Sequence, residues 1–500
     1  MRNLRQFSWI FALIAICNVS CRRDDLSAPM VSQFVYDGMS LYYLWNEQML
    51  NRRPTAAHTN PVQYFNSLLY TPTDRWSWIT DDVDALLGNF AGQATHAFGF
   101  ASTPLLMDEA TGRVEGFVRY IYPNTPAEEM GIARGDIIVA ANGTPLNRSN
   151  FRILFGATGT TTFTVYDQHR EKSREVSITP RTFTTNSVFH SSIHRFDDSD
   201  RVIGYLFYTA FRSNFNDDLH RVFSEFQQAG VTDLVLDLRY NPGGDVSAAV
   251  YLASMIAPRT AVTGEEVFIT MNYNRFVNQL FDNQDNEMRL TRLGEFQERF
   301  ANPLTANLNL SRVFIIATEF SASASELTIF CLRPFMEVNH IGDETSGKYT
   351  ASWTIHAFDN FAINRQPRAQ IVYSRPTNAQ RSELQNWAMQ PIVAEFTNKR
   401  GETFAADGTL IPNFQMESFD FLRSPELWKP IGDENDYFFA KAISLITGRP
   451  HTTATRNASN RQFIGTPLFS PQETLLRRAV NVDNMEIEPE MWQKMLESLR

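Results

Sequence analysis

An alternation of apolar strands and amphipathic helices in the middle of the chain constrains its fold more than any other feature. Apolar runs at 202–207, 234–236 and 313–317 have the length and composition of buried strands. Between them, apolar residues recur at helical spacing, which predicts helices over 216–229 and 246–256. Strands that alternate with helices in this way are typical of an α/β core with a parallel sheet.

The sequence before this core changes character twice. A helical pattern occupies 22–60, and an aromatic-rich segment, 64–78, predicts another helix and an ordered turn. Gly- and Thr-rich alternating sequence continues to about Ile178 and is typical of short strands joined by tight turns. With 500 residues, of which 43% are apolar, the chain has room for several domains. The polar, Asn-rich stretch 259–305 supports no prediction of structure.

Composition excludes several classes of function. The formal net charge of −10 argues against nucleic acid as a partner. After the N-terminal segment there is no apolar run of about eighteen residues or more, so no membrane-spanning helix is predicted. His190 and His194 have the spacing of a helical metal pair, but no third ligand accompanies them. The sequence therefore predicts no metal site.

The N-terminus has the features of an export signal. Two arginines precede an apolar run, Phe7–Cys17, and a small residue, Ser20, closes the segment, which predicts a signal peptide over 1–20. Cys21 follows directly and resembles the lipidated cysteine of bacterial lipoproteins, although Asn18 stands where leucine is usual. We therefore expect a chain exported to the cell envelope and anchored to a bacterial membrane by a lipid. The alternative is a plain signal peptide with an incidental cysteine.

The remaining cysteine, Cys331, lies between Phe330 and Leu332. A single thiol cannot form an intramolecular disulfide, so core packing must hold the exported fold together unaided. The apolar neighbours of Cys331 predict that its side chain is buried.

Three serines follow the apolar run at 313–317 and lead into a predicted helix that Pro334 stops. They are Ser321, Ser323 and Ser325, separated by alanines. A serine at a strand-to-helix junction places its hydroxyl at the helix N-terminus, where backbone N–H groups stabilise an anion. A nucleophile needs this setting and also needs a base. The alternative is that these serines only cap the helix.

Lys348 is the candidate base, since no histidine lies in a recognisable triad motif. A lysine base must be neutral near pH 7, which takes a pKa shift of roughly three units, or about 4 kcal/mol, from burial. Lys348 follows a predicted strand, 338–341, and is expected to enter another buried strand. Residues 342–348 also fit the spacing of a phosphate-binding loop, but Tyr349 stands where that loop needs Ser or Thr.

The spacing of these groups resembles that of the carboxyl-terminal processing peptidases, also called tail-specific proteases. The motif is Ser323-Ala324-Ser325-Glu326, and Lys348 follows Ser323 by twenty-five residues. The resemblance implies a serine peptidase in which Ser323 is the nucleophile and Lys348 is the general base. It also implies hydrolysis through an acyl-enzyme, without metal or organic cofactor.

A glycine-rich turn supplies a second motif. Residues 237–244 read Asp-Leu-Arg-Tyr-Asn-Pro-Gly-Gly and resemble the Asp-Leu-Arg-x-Asn-x-Gly-Gly turn of the same family. The resemblance implies an oxyanion hole in which a glycine N–H, from Gly243 or Gly244, joins the N–H of Ala324.

Two positions depart from the family pattern, Asn413, where Asp is usual after Pro412, and a position close to Lys348. Many relatives carry Gln four residues after the lysine, where it helps to orient the amine, and here that position is Ser352. Strand alternation would turn Ser352 to the side of Lys348, so we expect its hydroxyl to serve instead.

The resemblance also implies a PDZ domain before the core. Residues 97–100, Ala-Phe-Gly-Phe, resemble its carboxylate-binding loop, and residues 125–143 resemble its most recognisable segment. A PDZ groove binds a peptide as an additional strand and holds the terminal carboxylate on backbone N–H groups, here those of Phe98, Gly99 and Phe100. The alternative is a structural β-domain that has lost its ligand.

Together these features predict a multidomain α/β protein with a crotonase-like catalytic core. The predicted domains are a signal peptide (1–20), an N-terminal helical segment (21–88), a PDZ domain (89–182), a Ser-Lys peptidase core (183–420) and a helical C-terminal tail (421–500). The predicted function is cleavage of exported proteins whose C-termini the PDZ domain recruits. The alternative is a non-catalytic peptide- or ligand-binding protein on the same fold, against which the retention of Ser323 and Lys348 argues.

Overall fold

The structure is a computed structural model that describes residues 28–167, 170–282, 287–358, 370–416, 427, 429–450 and 466–467. The predicted signal peptide, Cys21 and most of the chain after residue 450 lie outside these residues. In the part of the chain that is described, no helix is both long and apolar enough to cross a bilayer.

The N-terminal segment is helical, as its apolar periodicity predicts. Its main elements are α1 (Met30–Tyr42), α2 (Pro61–Leu68), β1 (Trp78–Thr80) and α3 (Val83–Phe90). Phe34, Met39 and Tyr42 of α1 are buried in the largest hydrophobic core. Strand β1 pairs with residues 388–390, far along the chain. The N-terminal segment is therefore packed into the rest of the molecule.

A β-domain follows, with short strands where the alternating sequence predicts them. Its helix is α4 (Pro126–Glu129), and its strands are β2 (Gln93–Ala97), β3 (Phe100–Asp108), β4 (Arg113–Ile121), β5 (Ile137–Ala141), β6 (Thr144–Pro145), β7 (Thr161–Asp167), β8 (Lys172–Ile178) and β9 (Arg181–Thr184). Strands β3, β4, β5, β7 and β8 form an antiparallel sheet around a separate apolar core that includes Val118 and Phe163.

A six-stranded sheet forms the centre of the molecule. In spatial order its strands are β10 (Val188–Phe196), β11 (Ser199–Tyr208), β12 (Asp233–Asp237), β15 (Arg312–Ala317), β16 (Glu337–Gly342) and β22 (Phe414–Gln415). Strand β10 is antiparallel to β11, and the other neighbours are parallel. Every residue of β12 is buried, because a central parallel strand is covered on both faces.

Helices connect and cover these strands at the predicted places. They are α5 (Asn216–Gln228), α6 (Val246–Ile256) and α9 (Ala324–Leu332). The residues of α5 that recur at helical spacing are buried, with Leu219, Val222 and Phe226 at most 1% exposed. The apolar periodicity therefore predicted both the helix and the face that it buries.

The polar stretch 259–305 contains structure that its composition did not predict. Its elements are α7 (Arg259–Thr263), β13 (Val267–Tyr273), α8 (Arg275–Asp282) and β14 (Leu290–Arg292). Strand β13 pairs with β14 and with β21 (Ile392–Asn398), which also pairs with β17 (Thr350–Ser352). The stretch therefore belongs to a second, four-stranded sheet of the core.

The remaining elements complete the core and the end of the chain. They are β18 (Ile355–His356), β19 (Gln370–Ile371), α10 (Asn378–Leu384), β20 (Ala388–Gln390), α11 (Tyr437–Thr447) and β23 (Thr466–Pro467). Strand β23 pairs with β3 of the β-domain. Cys331 on α9 is fully buried, as predicted, and burial raises the pKa of its thiol.

Candidate functional site

Ser323 lies at the N-terminus of α9, after β15 and a short turn. Its backbone has φ +55° and ψ −114°, a conformation that glycine adopts readily and other residues adopt rarely. Such a conformation costs roughly 1–3 kcal/mol and clusters at functional sites. Ser323 and Glu326 also form a capping box at this end of the helix, so Ser323 caps α9 as well. A helix cap does not require a strained backbone, so the strain is the feature that favours a nucleophile at this position.

The Glu326 carboxylate joins the segment of Ser323 to the segment of Lys348. Its Oε2 accepts hydrogen bonds from the N–H groups of Ser323 and Lys348, each at 2.8 Å. Its Oε1 accepts from the Gly347 N–H at 2.7 Å and from the Thr345 hydroxyl at 2.5 Å. Burial raises the pKa of Glu326, and these donors act against that rise. Because one oxygen binds both N–H groups, the backbones of Ser323 and Lys348 are close neighbours.

The Lys348 side chain is buried, with 6% of its surface exposed. Burial lowers the pKa of its amine to about 8, while the carboxylates of Asp74 and Glu326 act in the opposite direction. Its Nζ lies 5.6 Å from the centre of the Trp76 ring. Within the described ranges, Lys348 forms no ion pair. A sizeable fraction of this amine is therefore neutral near pH 8, as a general base requires.

The loop before Lys348 is not arranged as a phosphate cradle. A phosphate-binding loop presents its backbone N–H groups to the anion. Here the N–H groups of Gly347 and Lys348 donate to the Glu326 carboxylate instead. The match of residues 342–348 to that motif is therefore a coincidence of spacing.

The histidine pair lies on a strand and not on a helix. His190 and His194 belong to β10, and His194 hydrogen-bonds Ser192 and Glu434 at 2.8 Å each. No group of three side chains suited to hold a metal ion occurs among the described residues. The two histidines have structural partners in the fold.

The glycine-rich turn lies against the nucleophile. A Cβ atom on Gly243 would lie 2.8 Å from the Ser323 Cβ and 2.9 Å from the Ala324 nitrogen. The φ of Gly243 is also +100°, so only glycine fits at this close approach. The Gly243 N–H, however, donates to the Asn241 side chain at 2.8 Å. Gly243 therefore allows the turn to approach Ser323 closely because it has no side chain, whereas its N–H already donates to Asn241.

Two of the predicted oxyanion donors remain available. The N–H groups of Gly244 and Ala324 make no hydrogen bond in the described part of the chain. The Ala324 N–H is at the first position of α9, where the helix leaves its N–H groups without intrahelical partners. Gly244 follows Gly243 directly and forms an isolated β-bridge with Phe211.

Strand alternation does not decide which way Ser352 faces relative to Lys348. Strand β17 begins two residues after Lys348, so Lys348 is outside the strand, and the register of β17 shifts next to Ser352. The alternation argument therefore does not apply. The Ser352 hydroxyl donates to the Gln390 Oε1 at 3.1 Å, and the Gln390 amide donates to Thr354 at 2.6 Å. All three side chains are buried.

Two groups near the amine were missed from the sequence. Asp74 and Trp76 come from the N-terminal segment, and no spacing connects them to Lys348. The sequence signal that could have pointed to them is an acidic residue, Asp74, inside the aromatic-rich stretch 64–78. Glu326 was part of the serine motif, but the sequence assigned it no role.

The predicted carboxylate-binding loop connects β2 to β3. The rings of Phe98 and Phe100 are stacked, with centroids 5.8 Å apart, and both contact Phe163. Gly99 has φ +102°, and a Cβ there would collide with Thr125. The N–H groups of Phe98 and Gly99 make no hydrogen bond in the described ranges, so both are available to a carboxylate.

The fold and the site define a PDZ-containing α/β protein with a peptidase-type core. Residues 202–385 match the sequence model of peptidase family S41, and residues 30–78 match that of the peptidase S41 N-terminal domain. Residues 117–150 match the PDZ domain. The chain is therefore similar to peptidase family S41 over its core and its N-terminal segment.

Named relatives agree with this assignment. The chain is 31% identical over 153 residues to the chloroplastic C-terminal processing peptidase of Tetradesmus obliquus, over 27% of this chain and 32% of that protein. It is 26% identical over 234 residues to the carboxyl-terminal-processing protease of a Picosynechococcus species, over 45% of this chain and 49% of that protein. The chain thus spans about a third to a half of the length of these curated relatives.

A solved structure shares the fold. An S41-family protein of Bacteroides fragilis superposes with a TM-score of 0.61 over 83% of this chain and 97% of that chain. The two sequences are 22% identical, so this likeness concerns the fold alone.

Proposed function

We propose that this protein is a serine peptidase in which Ser323 is the nucleophile and Lys348 is the general base. The observation that carries the proposal is the contact of a single oxygen, Glu326 Oε2, with the N–H groups of both residues at 2.8 Å. The similarity of residues 202–385 to peptidase family S41 and the protease names of the relatives support it. The strained backbone of Ser323 and the lowered pKa of Lys348 agree with these roles.

In the first step the Ser323 hydroxyl attacks the carbonyl carbon of the scissile bond and passes its proton to the neutral Lys348 amine. The carbonyl oxygen then carries a negative charge. We assign its stabilisation to the N–H groups of Ala324 and Gly244, aided by the N-terminus of α9. When the carbon–nitrogen bond breaks, Lys348 gives its proton to the leaving amine. An acyl group remains on Ser323.

Water completes the cycle. It attacks the acyl group while Lys348 accepts its proton, and the proton then returns to Ser323 as the carboxylic acid leaves. Both steps begin with a neutral amine. Because the pKa of Lys348 is about 8, the rate should rise as the pH increases through this value.

The PDZ domain supplies a means of selecting substrates. A substrate C-terminus would add as a strand beside the first residues of β3, because among the described residues β23 pairs with that edge at Leu105 and Leu106. Its carboxylate would lie on the N–H groups of Phe98 and Gly99. The N-terminal sequence pattern supports export and lipid attachment at Cys21, which lies outside the described residues. The proposed substrates are therefore proteins of the bacterial cell envelope.

Two substitutions test the proposed dyad. Ser323→Ala and Lys348→Arg should each lower kcat/KM for an unfolded protein substrate by about 10⁴-fold or more. Arginine keeps the positive charge but does not deprotonate, so it cannot accept the proton of Ser323. Circular dichroism of the purified full chain checks that each variant is folded.

The matched control is Lys399→Arg. Lys399 is exposed and pairs with Glu266, so this variant should keep full activity. A folded Lys348→Arg variant with substantial activity would show that Lys348 is not the base.

A further inference from the structure

A short segment of the N-terminal domain, residues 74–77, lies against the catalytic pair. Trp76 is 6% exposed, and its ring centre is 5.6 Å from the Lys348 Nζ. The same ring packs in one apolar cluster with Ala322, the residue before Ser323. Trp76 thus contacts both sides of the site, and it comes from a separate part of the sequence.

The second group in this segment is the buried carboxylate of Asp74. Its Oδ1 accepts the N–H groups of Trp76 at 2.9 Å and Ser77 at 3.0 Å. Its Oδ2 accepts the hydroxyls of Ser77 at 2.5 Å and Tyr43 at 2.8 Å. These four contacts all come from donors, as an acceptor-only carboxylate requires. They fix the position of Asp74 on two elements of the N-terminal domain.

The partners of Asp74 are neutral groups, and no cation pairs with it in the described part of the chain. Its charge can therefore act on the nearby amine of Lys348. The other carboxylate that acts on this amine is Glu326. Arg75 lies over the Trp76 ring, at 5.5 Å from its centre.

We propose that Asp74 and Trp76 are positioning residues of the catalytic site, through which the N-terminal domain sets how readily Lys348 exchanges its proton. The inference rests on the proposed Ser-Lys mechanism. Trp76 excludes water from the amine, and the Asp74 charge stabilises the protonated amine once it has accepted the proton of Ser323. The core alone would then hold an incomplete site.

The two residues act in opposite directions on the same group. The Asp74 carboxylate raises the pKa of Lys348, whereas burial, to which the Trp76 ring contributes, lowers it. Loss of the Asp74 charge should therefore move the pH dependence of Ser323 reactivity to lower pH. Loss of the Trp76 ring should let water reach the amine and move it to higher pH. A merely structural role for either residue would reduce the amount of folded protein and leave the pH dependence unchanged.

The experiment measures the rate at which a fluorophosphonate, a small serine-directed reagent, labels Ser323 in the full chain between pH 6 and pH 10. In Asp74→Asn, the midpoint of the rising limb should fall by roughly one pH unit. The matched control is Asp81→Asn, which makes the same change at an exposed position of the same domain and should leave the midpoint in place.

The Trp76 variants keep the inference testable if Asp74→Asn does not fold. In Trp76→Ala, the midpoint should rise by roughly one pH unit, and Trp76→Phe should restore most of the wild-type value. Folded variants of both residues with the wild-type midpoint would overturn the inference. Failure of the reagent to label wild-type Ser323 at any pH would instead overturn the Ser-Lys mechanism itself.

Discussion

Two buried cations, Arg239 and Lys348, lie within the same α/β core and have opposite surroundings. The Arg239 side chain is 1% exposed and lies between two buried carboxylates. Its guanidinium donates to both oxygens of Asp237 and to both oxygens of Asp436. Burial disfavours its charge, but these two carboxylates outweigh that effect and raise its pKa well above the usual value.

Lys348 is buried to a similar degree but has no such partners. Its backbone N–H binds Glu326, while its amine faces the Trp76 ring and forms no ion pair in the described ranges. Burial is therefore the largest influence on its pKa and lowers it to about 8. The comparison shows that burial alone does not decide the state of a cation, because the placement of carboxylates decides it.

The difference also suits the two cations to different roles, Arg239 to a structural one and Lys348 to proton transfer. Arg239 joins the end of β12 to Asp436, which caps α11 by accepting the N–H groups of Phe438 and Phe439. A permanently charged, fully paired group can hold such a junction but cannot transfer protons. An unpaired amine destabilises the fold but can take a proton and return it.

Removing a partner of Arg239 should have the largest effect on stability. Asp436→Asn keeps an oxygen to cap α11 but removes the charge, so a buried guanidinium loses one of its two carboxylates. We expect the free energy of unfolding to fall by about 3–5 kcal/mol. Urea denaturation of the full chain, followed by fluorescence, measures this change.

The control for this variant is Asp198→Asn. Asp198 also pairs with an arginine, Arg449, but its side chain is 64% exposed, against 1% for Asp436. Its loss should change stability little, because water screens the pair. Equal effects of the two substitutions would mean that burial of the Arg239 pair has no energetic consequence.

Removing the unpaired cation, Lys348, should raise the free energy of unfolding. The pKa of Lys348 is about 8 in the folded protein and near 10.5 in the unfolded chain, so the folded state binds fewer protons between these values. Below pH 8 the buried charge costs about 3 kcal/mol, and this cost disappears as the pH rises towards 10.5. Lys348→Met should therefore be inactive and more stable by up to about 3 kcal/mol at pH 7.

Denaturation of wild type and Lys348→Met at several pH values checks this linkage. The difference in stability should shrink as the pH increases from 8 to 10.5, because the wild-type amine becomes neutral. The exposed Lys399→Met should show no such dependence. A Lys348→Met variant that is less stable than wild type at pH 7 would place Lys348 among the structural cations, with Arg239.

The smallest effect is expected at Ser352. Its hydroxyl donates to Gln390 and not to the amine of Lys348, so Ser352→Ala should cost about 1 kcal/mol of stability from one lost buried hydrogen bond. We expect kcat/KM to change by less than about tenfold, since no catalytic contact is removed. Parallel assays of denaturation and hydrolysis measure both. A loss of activity comparable to that of Ser323→Ala would restore Ser352 to the role of orienting the amine.

Much of the fold followed from local pattern. The helix Val246–Ile256 has the predicted bounds, and the strands at β11, β12 and β15 contain the predicted apolar runs. Because these elements bury nearly all of their apolar residues, the apolar periodicity of the sequence predicts which face of each element is buried. The stretch 259–305 behaves differently. Its strand β13 depends on pairing with β21, more than a hundred residues further on, and local composition carries no record of that partner.

The candidate site likewise combines features that motif spacing predicted with features that depended on the tertiary structure. The spacing of Ser323, Lys348 and the glycine-rich turn predicted the candidate nucleophile, the candidate base and the turn beside them. The positions of Ser352 and Gly243 depended on where β17 begins and on which acceptor the Gly243 N–H finds. Strand alternation predicts a side chain's direction only inside a strand, and Lys348 lies outside β17, so alternation gives no basis for the inference from Lys348 to Ser352.

The sequence by itself determined the order of the elements, the candidate nucleophile and base, and the family that their motifs resemble. The tertiary structure alone decided that Asp74 and Trp76 of the N-terminal domain lie beside Lys348 and that Glu326 joins the two catalytic segments. The physical reason is that a pKa depends on every group within a few ångströms, whichever part of the chain supplies it. Periodicity and motif spacing describe neighbours along the chain, whereas desolvation and charge act between neighbours in space.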